Sequence, residues 1–296
     1  MIRAFFTGGS MSCGSGCGCH TKKVGQTPRV APDVQMRHLI PSAKTVIAVG
    51  SGKGGVGKSS VAVNLAVALA KQGERVALFD GDIYGPSIPK MLGTAGAELT
   101  LTDEKLNPLE AHGLKTLSIG NIVPPNQATI WRGPMLHQAL QHLMSGTNWG
   151  ELDYVIVDLP PGTGDVHLTM MQSLKITGAI IVSTPQQVAL ADVRKCVDMF
   201  QKVEIPIMGI VENMSYFECH HGEKYFLFGK GGVKDFCEGL HLPFLGQIPL
   251  VPEIMEGCEK GIPYALQDQR QLFAPLAEHV MATTKSVPQK RALGAS

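Results

Sequence analysis

Short apolar runs alternate along the chain with longer segments in which apolar residues recur every three or four positions. The short runs lack alternation of apolar and polar residues, which is typical of strands buried on both faces. The pattern predicts strands at residues 45–49, 76–80, 154–158, 179–183, 207–211 and 244–248. It predicts helices at residues 59–72, 135–144, 166–174 and 188–202. We therefore expect an α/β fold with a doubly wound, mostly parallel sheet, whose ligands gather at the carboxyl ends of the strands.

The two ends of the chain differ in composition from this central pattern. The first forty residues are rich in Gly, Ser, Pro and Lys, and residues 286–296 are mostly small or basic. These compositions predict a flexible Cys- and Gly-rich tail at residues 1–40, one α/β domain at 41–285 and a disordered tail at 286–296.

Composition narrows the classes of partner. The 296 residues carry a formal net charge of +1, which gives no electrostatic footprint for nucleic acid or a membrane surface. No apolar stretch approaches the roughly 18 residues of a membrane span. Seven cysteines, an odd number, favour a reducing compartment and metal chemistry over disulfides. We expect a cytoplasmic protein with neither a nucleic-acid nor a membrane partner.

A glycine-rich loop separates the first predicted strand from the first predicted helix. Residues 52–59 read Gly-Lys-Gly-Gly-Val-Gly-Lys-Ser, which fits the phosphate-binding loop (P-loop) pattern. Glycines let backbone N–H groups close around phosphate oxygens, and the N-terminus of the following helix adds partial positive charge. The loop predicts a nucleoside triphosphate site in which Lys58 reaches the β- and γ-phosphates and Ser59 binds Mg²⁺.

Two further acidic loops follow predicted strands. Asp80 and Asp82 stand at the end of the second predicted strand, and Asp158 ends the third. An isolated Asp-x-Asp is often only a solvated loop, and a lone aspartate is often a turn or helix-cap residue. Beside a P-loop, an apolar strand ending in aspartate has the form of a Walker B carboxylate, which holds Mg²⁺ directly or through water. The stiff turn at residues 159–165 is placed to sense the γ-phosphate.

The second lysine of the loop, Lys53, is unusual, because an ordinary P-loop needs only Lys58. The pattern Lys-Gly-Gly-Val-Gly-Lys-Ser resembles the deviant P-loop of the MinD/ParA/nitrogenase-iron-protein class of dimeric ATPases. Several longer stretches resemble the Mrp/ApbC-type iron–sulfur cluster carrier ATPases within that class. These stretches lie at residues 51–60, 80–90, 131–134, 158–165, 183–187 and 212–217.

The resemblance implies a Mg²⁺-dependent ATPase in which Lys53, Lys58 and Asp82 serve catalysis. Asp82 would orient the attacking water, and Asp80 and Asp158 would support the metal shell. Lys53 would act across a homodimer interface, as an arginine finger does. Asn213 matches the position whose amide contacts adenine, although spacing alone makes it a turn residue. The residues implied in nucleotide binding are Gly52, Lys53, Gly54, Gly55, Val56, Gly57, Lys58, Ser59, Ser60, Asp80, Asp158 and Asn213.

One departure from the family pattern lies at the metal site. Relatives follow Met-Ser-Tyr-Phe with Cys-Pro-x-Cys-Gly, and two such pairs from two subunits bridge a [4Fe–4S] cluster. At this place the chain has Cys219, His220, His221 and Gly222. Its motif is therefore one residue shorter than that of the relatives and lacks the second cysteine. Histidine replaces cysteine in Rieske centres, and two copies of Cys219 with His221 or His220 also suit tetrahedral zinc. An iron–sulfur cluster, zinc and no metal are therefore the alternatives.

The predicted N-terminal tail holds a second group of candidate ligands. Cys13, Cys17, Cys19 and His20 fall within eight residues, and glycine spacers let them turn toward one ion. A labile cluster, a copper or zinc site and incidental cysteines of a disordered tail are the alternatives, because this spacing matches no zinc or ferredoxin signature.

The combined expectation is a cytoplasmic, homodimeric ATPase that binds ATP, Mg²⁺ and an iron–sulfur cluster and transfers the cluster to apoproteins. Two alternatives stay open. A spatial-organising ATPase of the MinD/ParA kind is expected to show a terminal amphipathic helix or a basic patch, and neither is visible in the sequence. A nucleotide-dependent metal insertase or chaperone would use residues 219–221 for a single ion.

Overall fold

The computed structural model describes residues 40, 42–83, 85–121 and 133–286. These residues belong to one compact unit, Met36–Ser296. The tail candidates Cys13, Cys17, Cys19 and His20 lie outside the described residues, as does most of each predicted tail. Within the described ranges, no helix combines the length and the apolar character needed to cross a bilayer.

Strands and helices alternate through the described ranges. The strands are β1 (Ala43–Gly50), β2 (Val76–Asp80), β3 (Leu101–Thr102), β4 (Lys105–Leu106), β5 (Leu109–Ala111), β6 (Leu114–Ser118), β7 (Leu152–Asp158), β8 (Gly178–Ser183), β9 (Ile207–Asn213), β10 (Phe217–Glu218), β11 (Lys224–Tyr225) and β12 (Phe244–Ile248). The α-helices are α1 (Lys58–Lys71), α2 (Ile88–Met91), α3 (Gly133–Ser145), α4 (Asp165–Ser173), α5 (Gln187–Lys202), α6 (Gly232–Leu240), α7 (Pro252–Lys260) and α8 (Ala274–Ser286).

One large sheet has the strand order β12-β9-β8-β1-β7-β2-β6-β5. Its neighbouring strands are parallel except for β5 and β6, which pair antiparallel at one edge. β1 lies between β7 and β8, and the chain skips β7 on its way from β1 to β2. Because the strands are parallel, their carboxyl ends meet at one edge of the sheet. The prediction of a doubly wound, mostly parallel sheet is confirmed.

Helices cover both faces of this sheet. Successive residues of one strand enter opposite cores: Ala48 and Val157 belong to one core, and Ile47 and Ile156 to the other. Helices α3 to α6 complete the first core, and α1, α2, α7 and α8 complete the second. Burial on both faces explains why the central strands are continuous apolar runs.

Each segment predicted from periodicity corresponds to an observed element, with bounds that agree within two residues. The strand β6 was not predicted, because Lys115 interrupts its apolar run. The ammonium group of Lys115 reaches out of the sheet and donates to the carbonyl of Trp149 at 2.7 Å. The hairpin β10–β11 and the helices α7 and α8 also lie beyond the predicted segments.

Four loops at the carboxyl edge carry the candidate site. The P-loop follows β1, and the loop with Asp82 follows β2. A turn at residues 159–164, here named the 159–164 turn, follows β7 and leads into α4. The β10–β11 hairpin follows β9. The parallel sheet thus brings residues far apart in sequence to one edge.

Candidate nucleotide and metal site

The conformation of the P-loop depends on its glycines. Gly55 and Gly57 have φ of +80° and +84°, values that residues with side chains rarely adopt. A Cβ at Gly52 would lie 2.4 Å from the backbone of Asp192, and one at Gly57 would lie 2.2 Å from Asn213 Nδ2. Helix α1 has no acidic residue in its first turn, so the positive end of its dipole faces the loop unscreened.

A cavity of about 200 Å³ lies on this loop and is the candidate nucleotide site. Besides P-loop residues, Asp82, Ser87, Met91 and Pro161 line it. A larger cavity of about 430 Å³ lies away from the P-loop and is lined by other loops, but its Arg75 is already paired with Glu151. Only the smaller of these two cavities joins loops from the carboxyl ends of β1, β2 and β7, where a doubly wound sheet binds its ligands.

Asp158 holds the two P-loop side chains that are predicted to bind phosphate and Mg²⁺. Lys58 Nζ lies 2.5 Å from Asp158 Oδ1, and Ser59 Oγ donates to Asp158 Oδ2 at 2.6 Å. The Asp158 carboxylate has no exposed surface, and Lys58 is only 6% exposed. Burial raises the pKa of Asp158, while the charge and hydrogen bond of Lys58 act against this rise. The three side chains form one buried polar cluster at the end of β7.

The two aspartates that follow β2 have different surroundings. Asp80 is buried, and its carboxylate accepts hydrogen bonds from Ser118 Oγ and from the backbone N–H groups of Asp82 and Ile88. Burial, together with the nearby charge of Asp158, raises the pKa of Asp80 to about 7. Asp82 instead lines the cavity. Asp80 therefore shapes the loop from beneath, and Asp82 faces the candidate nucleotide site.

Asn213, at the end of β9, contacts the P-loop, and Lys53 within the loop contacts Gln186. Asn213 Nδ2 donates to the Val56 carbonyl at 2.9 Å and is buried, so this amide is fixed against the loop. Lys53 Nζ lies 3.4 Å from Gln186 Oε1 and lines the cavity. Asp158 and Asn213 thus bond the P-loop directly. The hydrogen bonds of Asp80 go instead to Asp82, Ile88 and Ser118.

The candidate metal ligands Cys219 and His221 lie at the tip of the β10–β11 hairpin. Two backbone hydrogen bonds close this tip, from Cys219 N to Glu223 O and from Gly222 N to Cys219 O. The rings of His220 and His221 contact each other with centroids 3.9 Å apart and planes tilted by 45°. Within the described ranges, no group of three or more His, Cys, Asp and Glu side chains is arranged to hold a metal ion. One hairpin therefore supplies only part of a tetrahedral ligand set.

Cys219 differs from the other described cysteines in its exposure. Cys196, Cys237 and Cys258 are buried, and burial raises the pKa of each thiol, that of Cys196 to about 12 and that of Cys237 to about 11. Cys219 is half-buried at the hairpin tip. Because the thiolate is the form that binds metals, Cys219 is the described cysteine best suited as a ligand. Cys237 packs in the core.

Glu212 anchors the segment that carries the hairpin, and the sequence prediction missed it. Its buried carboxylate accepts from Val233 N at 3.1 Å and from Gln247 Nε2 at 2.7 Å. Val233 lies in the first turn of α6, the helix after the hairpin segment, so Glu212 joins the two ends of that segment. A charged residue that ends an otherwise apolar run was the sequence signal for this role.

Comparison with known proteins gives three related findings. The model of the ParA group described as NUBPL iron-transfer P-loop NTPases matches residues 42–285. An iron–sulfur cluster carrier protein of Deinococcus radiodurans is 50% identical over 246 residues, which cover 82% of this chain and 70% of the relative. Its namesake in Aquifex aeolicus is 51% identical over 233 residues, covering 78% of this chain and 64% of that relative.

A solved structure with the same fold comes from Archaeoglobus fulgidus. It is a nucleotide-binding protein in complex with ADP, with cobalt found in it. It is 39% identical, covers 74% of this chain and 87% of its own, and superposes with a TM-score of 0.67. The match of the family model to most of the described residues, together with these relatives, decides the family. This chain belongs to the NUBPL iron-transfer P-loop NTPases of the ParA group.

Proposed function

We propose that this protein is a Mg²⁺-dependent ATPase that acts as a homodimer and carries an iron–sulfur cluster to apoproteins. The observation that carries the proposal is the connection made by β9. Asn213 at its end bonds the P-loop, and Glu212 beside it anchors the segment that bears Cys219. A change at the nucleotide therefore has a short covalent path to the metal-binding hairpin.

In this proposal the P-loop binds the triphosphate of ATP. Backbone N–H groups of residues 52–57 and the amino end of α1 surround the phosphates. Lys58 leaves Asp158 and pairs with the β- and γ-phosphate oxygens. Asn213 contacts the adenine with the amide oxygen that its bond to Val56 leaves available.

The donors around Ser59 fit Mg²⁺, which prefers oxygen ligands. Ser59 Oγ would bind the ion, while Asp158 supports it directly or through water and Asp82 through water. The hydrogen bond between Ser59 and Asp158 already holds two of these donors together. When bound, the ion neutralises phosphate charge as the γ-phosphoryl group leaves.

For hydrolysis we assign two further roles. Asp82 accepts a hydrogen bond from the attacking water and orients it toward the γ-phosphorus. Lys53 binds the nucleotide of the partner subunit and stabilises charge on the equatorial oxygens. The position of Asp82 on the cavity and of Lys53 at its front edge supports these roles.

A homodimer agrees with the apolar side chains exposed at the carboxyl edge. Val188, just after β8, is 72% exposed, and Leu227, in the segment after β9, is 61% exposed. Exposed apolar groups of this size near a charged site favour an interface between proteins. A two-fold axis through this edge would bring two nucleotide sites and two hairpins together.

The dimer would also complete the metal site. Two copies of Cys219, with His221 or His220 from each chain, give four ligands for a bridging cluster, proposed as [4Fe–4S]. Cys13, Cys17 and Cys19 are proposed as a separate metal site. We place the protein in the cytoplasm, where thiols such as Cys219 stay reduced.

A second candidate function is supported by the two histidines beside Cys219. Imidazole and thiolate together suit a single zinc ion, so the hairpins could deliver a metal ion instead of a cluster. The two functions differ in the metal that the protein binds, which is iron with sulfide in the first and zinc in the second.

Anaerobic reconstitution with iron and sulfide tests the proposal. We expect absorption near the 400 nm region that is typical of clusters, iron and sulfide in equal amounts, a dimer by light scattering, and cluster transfer to an apoprotein. Zinc bound in place of iron after growth and purification under the same conditions would favour the second function. ATP hydrolysis by protein that binds neither iron nor zinc would contradict both functions.

A further inference from the structure

His167 is a buried histidine without a hydrogen-bond partner. It lies in the first turn of α4, directly after the 159–164 turn, and its side chain is only 1% exposed. Among the described residues, both of its ring nitrogens and Thr184 Oγ1 are the buried side-chain polar atoms without a partner. Such a group destabilises the folded state, because it gives up its hydrogen bonds to water and gains none in return. An apolar residue would pack here at lower cost, so the imidazole calls for a functional explanation.

The ring lies between the 159–164 turn and helix α5. Its edge packs on Phe200, with ring centroids 6.0 Å apart and planes at 75°. Burial lowers the pKa of His167 to about 4. The backbone of Gly162 and Pro160 approaches the ring closely enough to oppose this shift, but neither contact has the geometry of a full hydrogen bond. The ring is therefore neutral at physiological pH, with one N–H donor and one acceptor directed among the atoms of the turn.

The 159–164 turn is itself part of the nucleotide site. It begins after Asp158, and Pro161 lines the cavity. Gly162 N donates to the Ser51 carbonyl at 3.2 Å, which bonds the turn to the start of the P-loop. Gly162 has φ of +90°, so the backbone of the turn adopts a conformation that other residues disfavour.

Helix α4 also contacts the loop that bears Asp82. A Cβ at Gly81 would lie 2.1 Å from Met170 Cε, and Met170 is one helical turn beyond His167. Gly81 N donates to the Asp158 carbonyl at 2.9 Å. The same helix therefore supports both loops that flank the γ-phosphate position, with His167 under one and Met170 under the other.

We propose that His167 is a positioning residue for hydrolysis. When ATP binds, the 159–164 turn shifts, and one imidazole nitrogen of His167 forms a hydrogen bond with a backbone group of Pro160 or Gly162 that fixes the turn against the γ-phosphate. The contact reaches full hydrogen-bond geometry only in the reactive arrangement, so it accelerates hydrolysis and contributes little to ATP binding. This inference rests on the proposed ATPase activity.

Three variants test the role. His167→Phe keeps an aromatic ring of similar size and removes both nitrogens, while His167→Asn and His167→Gln each return an amide near one nitrogen position. We expect His167→Phe to lower kcat about tenfold, the equivalent of one hydrogen bond, with KM for ATP unchanged and a Tm at or above that of the wild type. One of the two amide variants should recover kcat. A kcat of His167→Phe within twofold of wild type overturns the proposal, as does a loss of kcat that follows a loss of Tm.

The wild-type protein supplies a second test, in which a variant serves only to assign the signal. ¹⁵N-labelled histidine reports whether an imidazole nitrogen is hydrogen-bonded, and the chain has ten histidines, so the His167→Gln spectrum assigns the signal. We expect one His167 nitrogen to shift when Mg²⁺ and a non-hydrolysable ATP analogue are added. An unchanged signal in protein that binds the analogue overturns the proposal. Protein that binds no analogue and hydrolyses no ATP refutes the proposed function instead, which keeps the two failures distinct.

Discussion

The Lys58 ammonium group and the Asp158 carboxylate form a buried ion pair, with Nζ and Oδ1 2.5 Å apart. This pair joins the P-loop to the end of β7 in the centre of the sheet. If Lys58 binds phosphate as proposed, nucleotide binding would exchange the carboxylate for phosphate oxygens as its partner. Because Asp158 directly precedes the 159–164 turn, this exchange would link phosphate binding to that turn.

The two P-loop lysines are predicted to have separable effects. Lys58→Ala should abolish tight ATP binding and, by leaving Asp158 buried without its partner, lower the free energy of unfolding by about 3–5 kcal/mol. Lys53→Ala should keep ATP binding and lose most turnover, because its charge would act across the dimer. Calorimetric titration with ATP, urea unfolding and phosphate release measure the three quantities. Equal loss of ATP binding in both variants would refute this division of roles.

Asp82 is predicted to act in hydrolysis and not in ATP binding. Asp82→Asn keeps the size of the side chain but removes the charge that would orient water, so kcat should fall to a small fraction of wild type with ATP affinity retained. Asp158→Asn is the matched comparison, and it should instead raise the Mg²⁺ concentration needed for activity. Unchanged turnover in Asp82→Asn would leave Asp82 as an ordinary loop residue.

Much of this architecture follows from local sequence, and some of it does not. The central strands can be predicted from the sequence because burial on both faces requires continuous apolar residues, as in β7. The strand β6 was not predicted, because Lys115 interrupts its apolar run. The strands β10 and β11 of the hairpin were not predicted, because two residues are too few to show a period. The candidate site residues follow from the P-loop pattern and the family resemblance. Glu212 and His167 do not, because their importance comes from partners that only the folded chain brings near.

His167 is predicted to make the protein sensitive to acid. Burial lowers the pKa of the folded imidazole to about 4 from 6.5, so the unfolded chain binds the additional proton between these values. Stability is therefore full above pH 6.5 and falls as the pH drops toward 4, by about 3 kcal/mol for the full shift. Urea unfolding at pH 7, 6 and 5 measures this slope. His167→Phe should have a shallower slope, and an identical slope in the two proteins would contradict the assignment.

Glu212 is predicted to hold the hairpin segment in place. Glu212→Ala leaves the Val233 N–H and the Gln247 amide without their acceptor, so unfolding free energy should fall by about 1–3 kcal/mol and reconstituted iron should fall with it. Glu212→Gln keeps one acceptor oxygen and should lose less of both. Iron content per chain and urea unfolding measure the effects. If Glu212→Ala has the iron content and stability of the wild type, Glu212 does not hold the hairpin segment in place.

The proposed carrier function depends on Cys219 as a cluster ligand. The iron content of Cys219 variants after anaerobic reconstitution is the most direct test of it. Two chains share the proposed site, so losing one side chain per chain removes two ligands at once. Cys219→Ala should lose the cluster, while Cys237→Ala, a buried control, and a chain lacking residues 1–20 should keep it. If Cys219→Ala instead retains the iron and the truncated chain loses it, the hairpin is not the cluster site, and Cys13, Cys17, Cys19 and His20 hold the metal.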